Sequence, residues 1–95
     1  MLRDKLAKEP VDPHIMLLRA LAWICGDGDR AGRFINLTGV DPDDLRQRAG
    51  DADILAAAGQ FLADHEPDLV SCAHALDCAP AALVNAIHNV RQGRA

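Results

Sequence analysis

Apolar and polar positions along this chain alternate with the period of a helix. From Pro13 to Cys25 the sequence runs Pro-His-Ile-Met-Leu-Leu-Arg-Ala-Leu-Ala-Trp-Ile-Cys, with Arg19 as its only formal charge. A helix that is apolar around most of its circumference is normally surrounded by its own protein. This one is too short to cross a bilayer, which takes roughly 20 apolar residues. Both of its ends are marked. Asp12 can cap the first free N–H groups, Pro13 suits the first helical position, and Gly26 can take the left-handed conformation that closes a helix. The segment is therefore predicted to be the central rod of a small helical domain.

The rest of the pattern repeats this punctuation. Arg30–Thr38 places Ala31, Phe34, Ile35 and Thr38 at helical spacing, and Gly39 ends it. Asp41-Pro42-Asp43-Asp44 then supplies a cap, a first-turn proline and two acids facing the helix dipole. It opens a short helix, Pro42–Ala49, with Arg46 and Arg48 near its C-terminal end and Gly50 as its stop. A fourth helix opens at Asp51 or Ala52 and runs to about Asp64. Ile54, Leu55, Ala58, Phe61 and Leu62 form its single apolar face, and Gly59 sits at the edge of that face, where it either lets another helix come close or is simply a tolerated helix glycine. Pro67 disfavours helical geometry at Glu66, so the fifth helix is expected to restart at Pro67, with Leu69, Cys72, Ala73 and Leu76 inward. Asp77 stands where glycine is usual, and Pro80 opens a sixth helix to about Gln92, with Leu83, Ala86, Ile87 and Val90 inward and Gly93 as its stop. No sustained period-2 run is present, and β-branched residues are few. The expected fold is all-α, a compact orthogonal bundle of five to six short helices over residues 12–92. A flexible arm over residues 1–11 precedes it, and a tail over residues 93–95 follows.

Composition adds limits rather than new elements. Ninety-five residues suffice for one core without a staple, and with three aromatic side chains in the chain that core is aliphatic. Three cysteines without CxxC spacing fit a reducing compartment, and Met1–Glu9 lacks the build of a signal peptide, so a cytoplasmic protein is expected. The net charge of −4 is unevenly spread. Eight basic and eight acidic residues cancel from Met1 to Arg48, whereas Ala49–Val90 holds six carboxylates and no Lys or Arg. An acidic half repels nucleic acid and anionic membranes.

Three stretches together resemble a family of small bacterial proteins defined only as a domain of unknown function. They are Leu18-Arg19-Ala20-Leu21-Ala22-Trp23, the run from Arg33 through Phe34-Ile35-Asn36-Leu37-Thr38-Gly39-Val40-Asp41-Pro42-Asp43-Asp44-Leu45 to Arg46, and Phe61-Leu62-Ala63-Asp64. The similarity spans Asp12–Ile87 and is most specific over Phe34–Leu45. It departs at Gly59-Gln60, where larger aliphatics are expected, and at His65. The resemblance implies a helical, bacterial, cytoplasmic protein and carries no catalytic residue across.

Chemistry-bearing patterns are weak. Ala73–Ala86 and Phe34–Ala49 each have small, turn and apolar residues near the offsets of a helix-turn-helix. A DNA reader, however, needs Lys and Arg against phosphate. Pro80–Val90 carries no formal charge, and Asp41, Asp43 and Asp44 crowd the helix bearing Arg46 and Arg48. Asp27-Gly28-Asp29-Arg30-Ala31-Gly32 begins like a calcium loop but has Ala31 and Thr38 where oxygen ligands belong. Cys72, His74 and Cys78 lack zinc geometry, since residues two apart on a helix diverge. Asp64-His65-Glu66 sets a histidine beside acids without a base–orienter pair, and no phosphate loop, nucleophile elbow or HExxH is present. No catalytic residue, metal or cofactor is therefore assigned.

What remains is surface. Met16, Arg19 and Trp23, spaced i, i+3, i+7, form one stripe on the central helix. Arg19 seeks water and is expected to pull that stripe outward. The expected function is a non-enzymatic protein–protein interaction module, acting by self-association or on another protein, with Met16, Arg19 and Trp23 as the candidate contact; the alternative is that Trp23 simply covers the edge of the core. A helix-turn-helix DNA-binding protein comes second and a small enzyme third.

Overall fold

The computed structural model describes residues 12–93, and these form six α-helices and no strand. They are α1 (Pro13–Cys25), α2 (Gly28–Thr38), α3 (Pro42–Gln47), α4 (Ala52–Ala63), α5 (Glu66–Ala75) and α6 (Pro80–Arg91). The arm expected over residues 1–11 and the last two residues of the expected tail lie outside the described residues.

Side-chain caps fix the first three helix starts. Asp12 Oδ1 accepts from the His14 N–H at 2.8 Å, Asp27 Oδ2 from Arg30 at 3.0 Å, and Asp41 Oδ1 from Asp43 at 2.7 Å. Because Asp27 is the cap, α2 begins at Gly28, two residues before the expected start. Gly39 ends α2 in the left-handed conformation, with φ 72°. Gly26 does not do so at the end of α1: its φ is −75°, and its N–H closes a tighter turn onto the Trp23 carbonyl. At the end of α5, Asp77 itself takes φ 59°. Its N–H bonds to the His74 carbonyl at 3.1 Å and that of Cys78 to Ala73 at 2.9 Å, the paired bonds of a Schellman cap.

Two boundaries differ from the pattern. α3 stops at Gln47 rather than Ala49, because Arg48 leaves helical geometry while its side chain turns to Asp51 and Asp53. α5 begins at Glu66, one residue before the restart expected at Pro67. In a first turn the proline needs no N–H bond, and the Leu69 N–H bond to the His65 carbonyl, 3.0 Å, holds that turn closed.

α1 runs through the middle and packs chiefly against α4 and α6, which also pack on each other. Leu17, Ala20 and Ile24 are fully buried at its inner face, with Leu55, Ala58 and Leu62 from α4 and Leu83 from α6. Gly59 permits the close approach of α4 and α6. A Cβ there would lie 3.0 Å from Ile87 Cγ2 and 3.4 Å from Leu17 Cδ1. Phe34 of α2 is fully buried and meets Phe61 edge to face, with ring centres 5.6 Å apart. α3 is the shortest helix and, like α2, sends a single side chain, Leu45, fully into the core.

Candidate functional site

The outer face of α1 is apolar, and among the described residues nothing covers it. Ile15, Leu18, Ala22 and Cys25, at i, i+3, i+7 and i+10, are all exposed, Ile15 at 53% and Leu18 at 43%. This stripe lies opposite Leu17, Ala20 and Ile24, so α1 is buried on one side only.

The shortness of α3 turns that face into a groove. α3 has six residues and one core anchor, Leu45. A groove of about 560 Å³ opens between it and α1, with Leu18, Leu21, Ala22 and Cys25 from α1 on one side. Ala31 of α2, and Pro42, Leu45, Arg46 and Ala49 of and after α3, complete it. The alanines hollow the groove, and the only charged group in its lining is Arg46, whose guanidinium bonds to Asp43 Oδ1 at 2.9 Å. Two smaller clefts, of about 340 and 370 Å³, are more mixed in character and include His88 with Arg91, and His65 with Asp64, respectively.

The stripe expected from the sequence is not one surface. Met16 is 6% exposed and belongs to the core, which removes it as a contact residue. Trp23 is half-buried beneath Arg30, whose guanidinium carbon sits 3.7 Å from the ring centre and whose Nη2 donates to the Trp23 carbonyl at 2.6 Å. Arg19 alone is exposed, with Nη2 donating to the Leu76 carbonyl at 3.4 Å. The physical reason is that a long arginine reaches water from the boundary of a buried face, so its charge does not mark where the face ends. The Ile15–Leu18–Ala22–Cys25 register was legible as an apolar row. Only the brevity of α3 reveals that none of the described residues covers it.

The three thiols are free and differ in access: Cys25 is exposed, Cys78 partly buried and Cys72 buried. Burial pushes the Cys72 thiol up to about 11, and the apolar walls around Cys25 also raise it. None is activated as a nucleophile. A neutral thiol reagent should therefore modify Cys25 first and Cys78 more slowly, and should reach Cys72 only when the chain unfolds. Mass spectrometry of timed samples reads this order, and early loss of Cys72 would contradict the packing.

The other sequence motifs are absorbed by structure. Cys72 is buried and His74 exposed, so they diverge as their spacing requires, and among the described residues no cluster of three metal-ligating side chains forms. His65 points a ring nitrogen at the Phe61 carbonyl, 2.7 Å away. Between α5 and α6 the chain turns through 106°, within the range of a helix-turn-helix. The exposed residues of α6 are nonetheless Pro80, Ala81, Val84, Asn85 and His88, with Arg91 only in its last turn. In the α2–α3 candidate both arginines are engaged. Arg46 holds Asp43, and Arg48 holds Asp51 at 2.8 Å and Asp53 at 2.7 Å. The hydrogen bond from Arg48 keeps the Asp53 carboxyl below its ordinary range. Any stabilisation from this exposed pair is present above that range and fades as pH falls through it.

Fold and groove together define a small all-helical protein with an open apolar cleft along its central helix. The chain belongs to the family described as "Protein of unknown function (DUF3572)", which matches residues 11–93. No curated protein and no solved structure matches it. Among the described residues no single helix is long and apolar enough to cross a membrane.

Proposed function

We propose that this protein is a non-enzymatic interaction module that receives another protein in the groove between α1 and α3. The observation that carries this reading is the uncovered apolar row Ile15–Leu18–Ala22–Cys25 on the helix that organises the core. Concentrated apolar surface on a small protein marks contact sites, whereas apolar residues scattered singly need no explanation. Leu37 and Val84 border the two smaller, more polar clefts and Val70 borders none, whereas Leu18, next to Ile15 on the α1 row, lines the large apolar groove. Free, unactivated thiols support a reducing, cytoplasmic setting for this module.

Helix-turn-helix DNA binding ranks second. The 106° turn between α5 and α6 favours it, while the uncharged outer face of α6 and the paired Arg46 and Arg48 weigh against it.

The leading reading is tested with Leu18→Glu and Ala22→Glu. Both positions are exposed, so the melting temperature should stay within a few degrees of wild type, as for most surface changes. Affinity purification from a native lysate should recover one discrete partner with wild type and with the Val70→Glu control, and lose it with both groove variants. Recovery unaffected by Leu18→Glu would place the contact elsewhere.

A further inference from the structure

We propose that the occupant of the groove is an amphipathic helix of a partner protein, with apolar anchors on one face and basic residues along the edge that meets α3. This rests on reading the groove as a docking site and adds the chemistry of what docks there. The α1 row gives the length. From Leu18 to Cys25, the part that lines the groove, it rises about 10 Å at 1.5 Å per residue, which matches about two turns of a partner helix. Helix-in-groove recognition reads anchors at i, i+3 or i+4, and i+7, the same spacing as the floor. Ala22, with Ala31 and Ala49 on the walls, leaves room for such anchors between Leu18 and Cys25.

The charge of one wall selects the partner's flank. Asp41, Asp43 and Asp44 are exposed on the turn and a half that also presents Pro42 and Leu45 to the groove. Only one cation meets them, Arg46 on Asp43, while Arg48 is drawn away to Asp51 and Asp53. On the far edge of the α1 row, Arg19 is turned toward the Leu76 carbonyl. Arg46 is the one charge lining the groove itself, but α3 with its cap carries three carboxylates against it and is net negative, so a basic flank complements this edge where an acidic one is repelled. Nucleic acid and anionic membrane meet the same repulsion. Among the described residues, a second copy's Arg33, Arg46 and Arg48 are each already paired with carboxylates, and its other arginines, Arg19, Arg30 and Arg91, stand one each on α1, α2 and α6 rather than in a row.

The probe is a labelled synthetic helical peptide with leucines at its first, fourth and eighth positions and lysines along one flank. Two companions carry glutamate or glutamine in place of lysine. Fluorescence anisotropy against the full chain should show the lysine peptide binding at least tenfold more tightly than the glutamate peptide. Leu18→Glu should abolish binding of all three. The triple change Asp41→Asn, Asp43→Asn, Asp44→Asn, which keeps a capping side chain at Asp41, should close most of the gap between peptides. Equal affinity for lysine and glutamate peptides overturns the basic flank and leaves the docking groove standing. Failure of all three peptides overturns both. Lysine-peptide binding that survives Leu18→Glu is general attraction to an acidic chain, and it also overturns the proposal. A wild-type dimer that Leu18→Glu converts to monomer in sedimentation makes a second copy the occupant instead. Markedly tighter peptide binding by a Leu2→Glu, Leu6→Glu variant gives the groove to the chain's own first residues.

Discussion

Leu17→Asp should leave this chain without a cooperative unfolding transition, while Leu18→Asp, one residue further on, should melt close to wild type. Leu17 is fully buried where α1, α4 and α6 meet, close enough to Gly59 that a Cβ there would touch its Cδ1. An aspartate at this point has no cation in reach, since the core holds no buried polar or charged residue among those described. Burying an unpaired carboxylate costs several kcal/mol, comparable with the total stability of about 5–15 kcal/mol for an ordinary domain. Leu18 faces the groove at 43% exposure, so a charge there stays in water. Circular dichroism melts of the two variants side by side read the difference. Similar behaviour of both would mean that α1 is not buried on one side and open on the other.

The second large effect is expected from Phe34→Ala. Phe34 is fully buried, joins α2 to α4 through its edge-to-face contact with Phe61, and is the only buried side chain that α2 contributes. Removing it should cost about 3–5 kcal/mol through lost transfer energy and the cavity left behind. In a domain of this size that lowers the melting temperature by roughly 12 °C or more. The loss should extend to the groove, because Ala31 on α2 forms part of its wall. Urea unfolding measures the cost. A loss below about 1 kcal/mol would mean that α2 is not anchored by this ring.

The sequence made the helices legible because their ends carry side-chain chemistry. Asp12, Asp27 and Asp41 cap, Pro13, Pro42 and Pro80 open, and Gly39 and Gly93 close with positive φ. Asp77 was readable as a substitute for glycine for the same reason. Gly59 announced the α4–α6 approach, since a glycine on an apolar helical face otherwise only weakens the helix. The site was less legible. Apolarity around α1 argued for burial on every side, yet burial depends on whether another element reaches that face. α3 proved too short to reach across, and no local pattern on α1 encodes that. The charge of Arg19 drew attention to the wrong row. It sits beside both the open face and the core edge, and Met16, on the same stripe, belongs to the core.

The claim that the α1–α3 groove receives another protein is tested most directly by site-specific photo-crosslinking in living cells. A photoreactive phenylalanine analogue at Ala22, on the groove floor, is compared with the same analogue at Val70, exposed on α5. The account predicts one discrete protein adduct from position 22, lost when Leu18→Glu is added, and none from position 70. Absence of any adduct from position 22, or the same adduct from both positions, would contradict it.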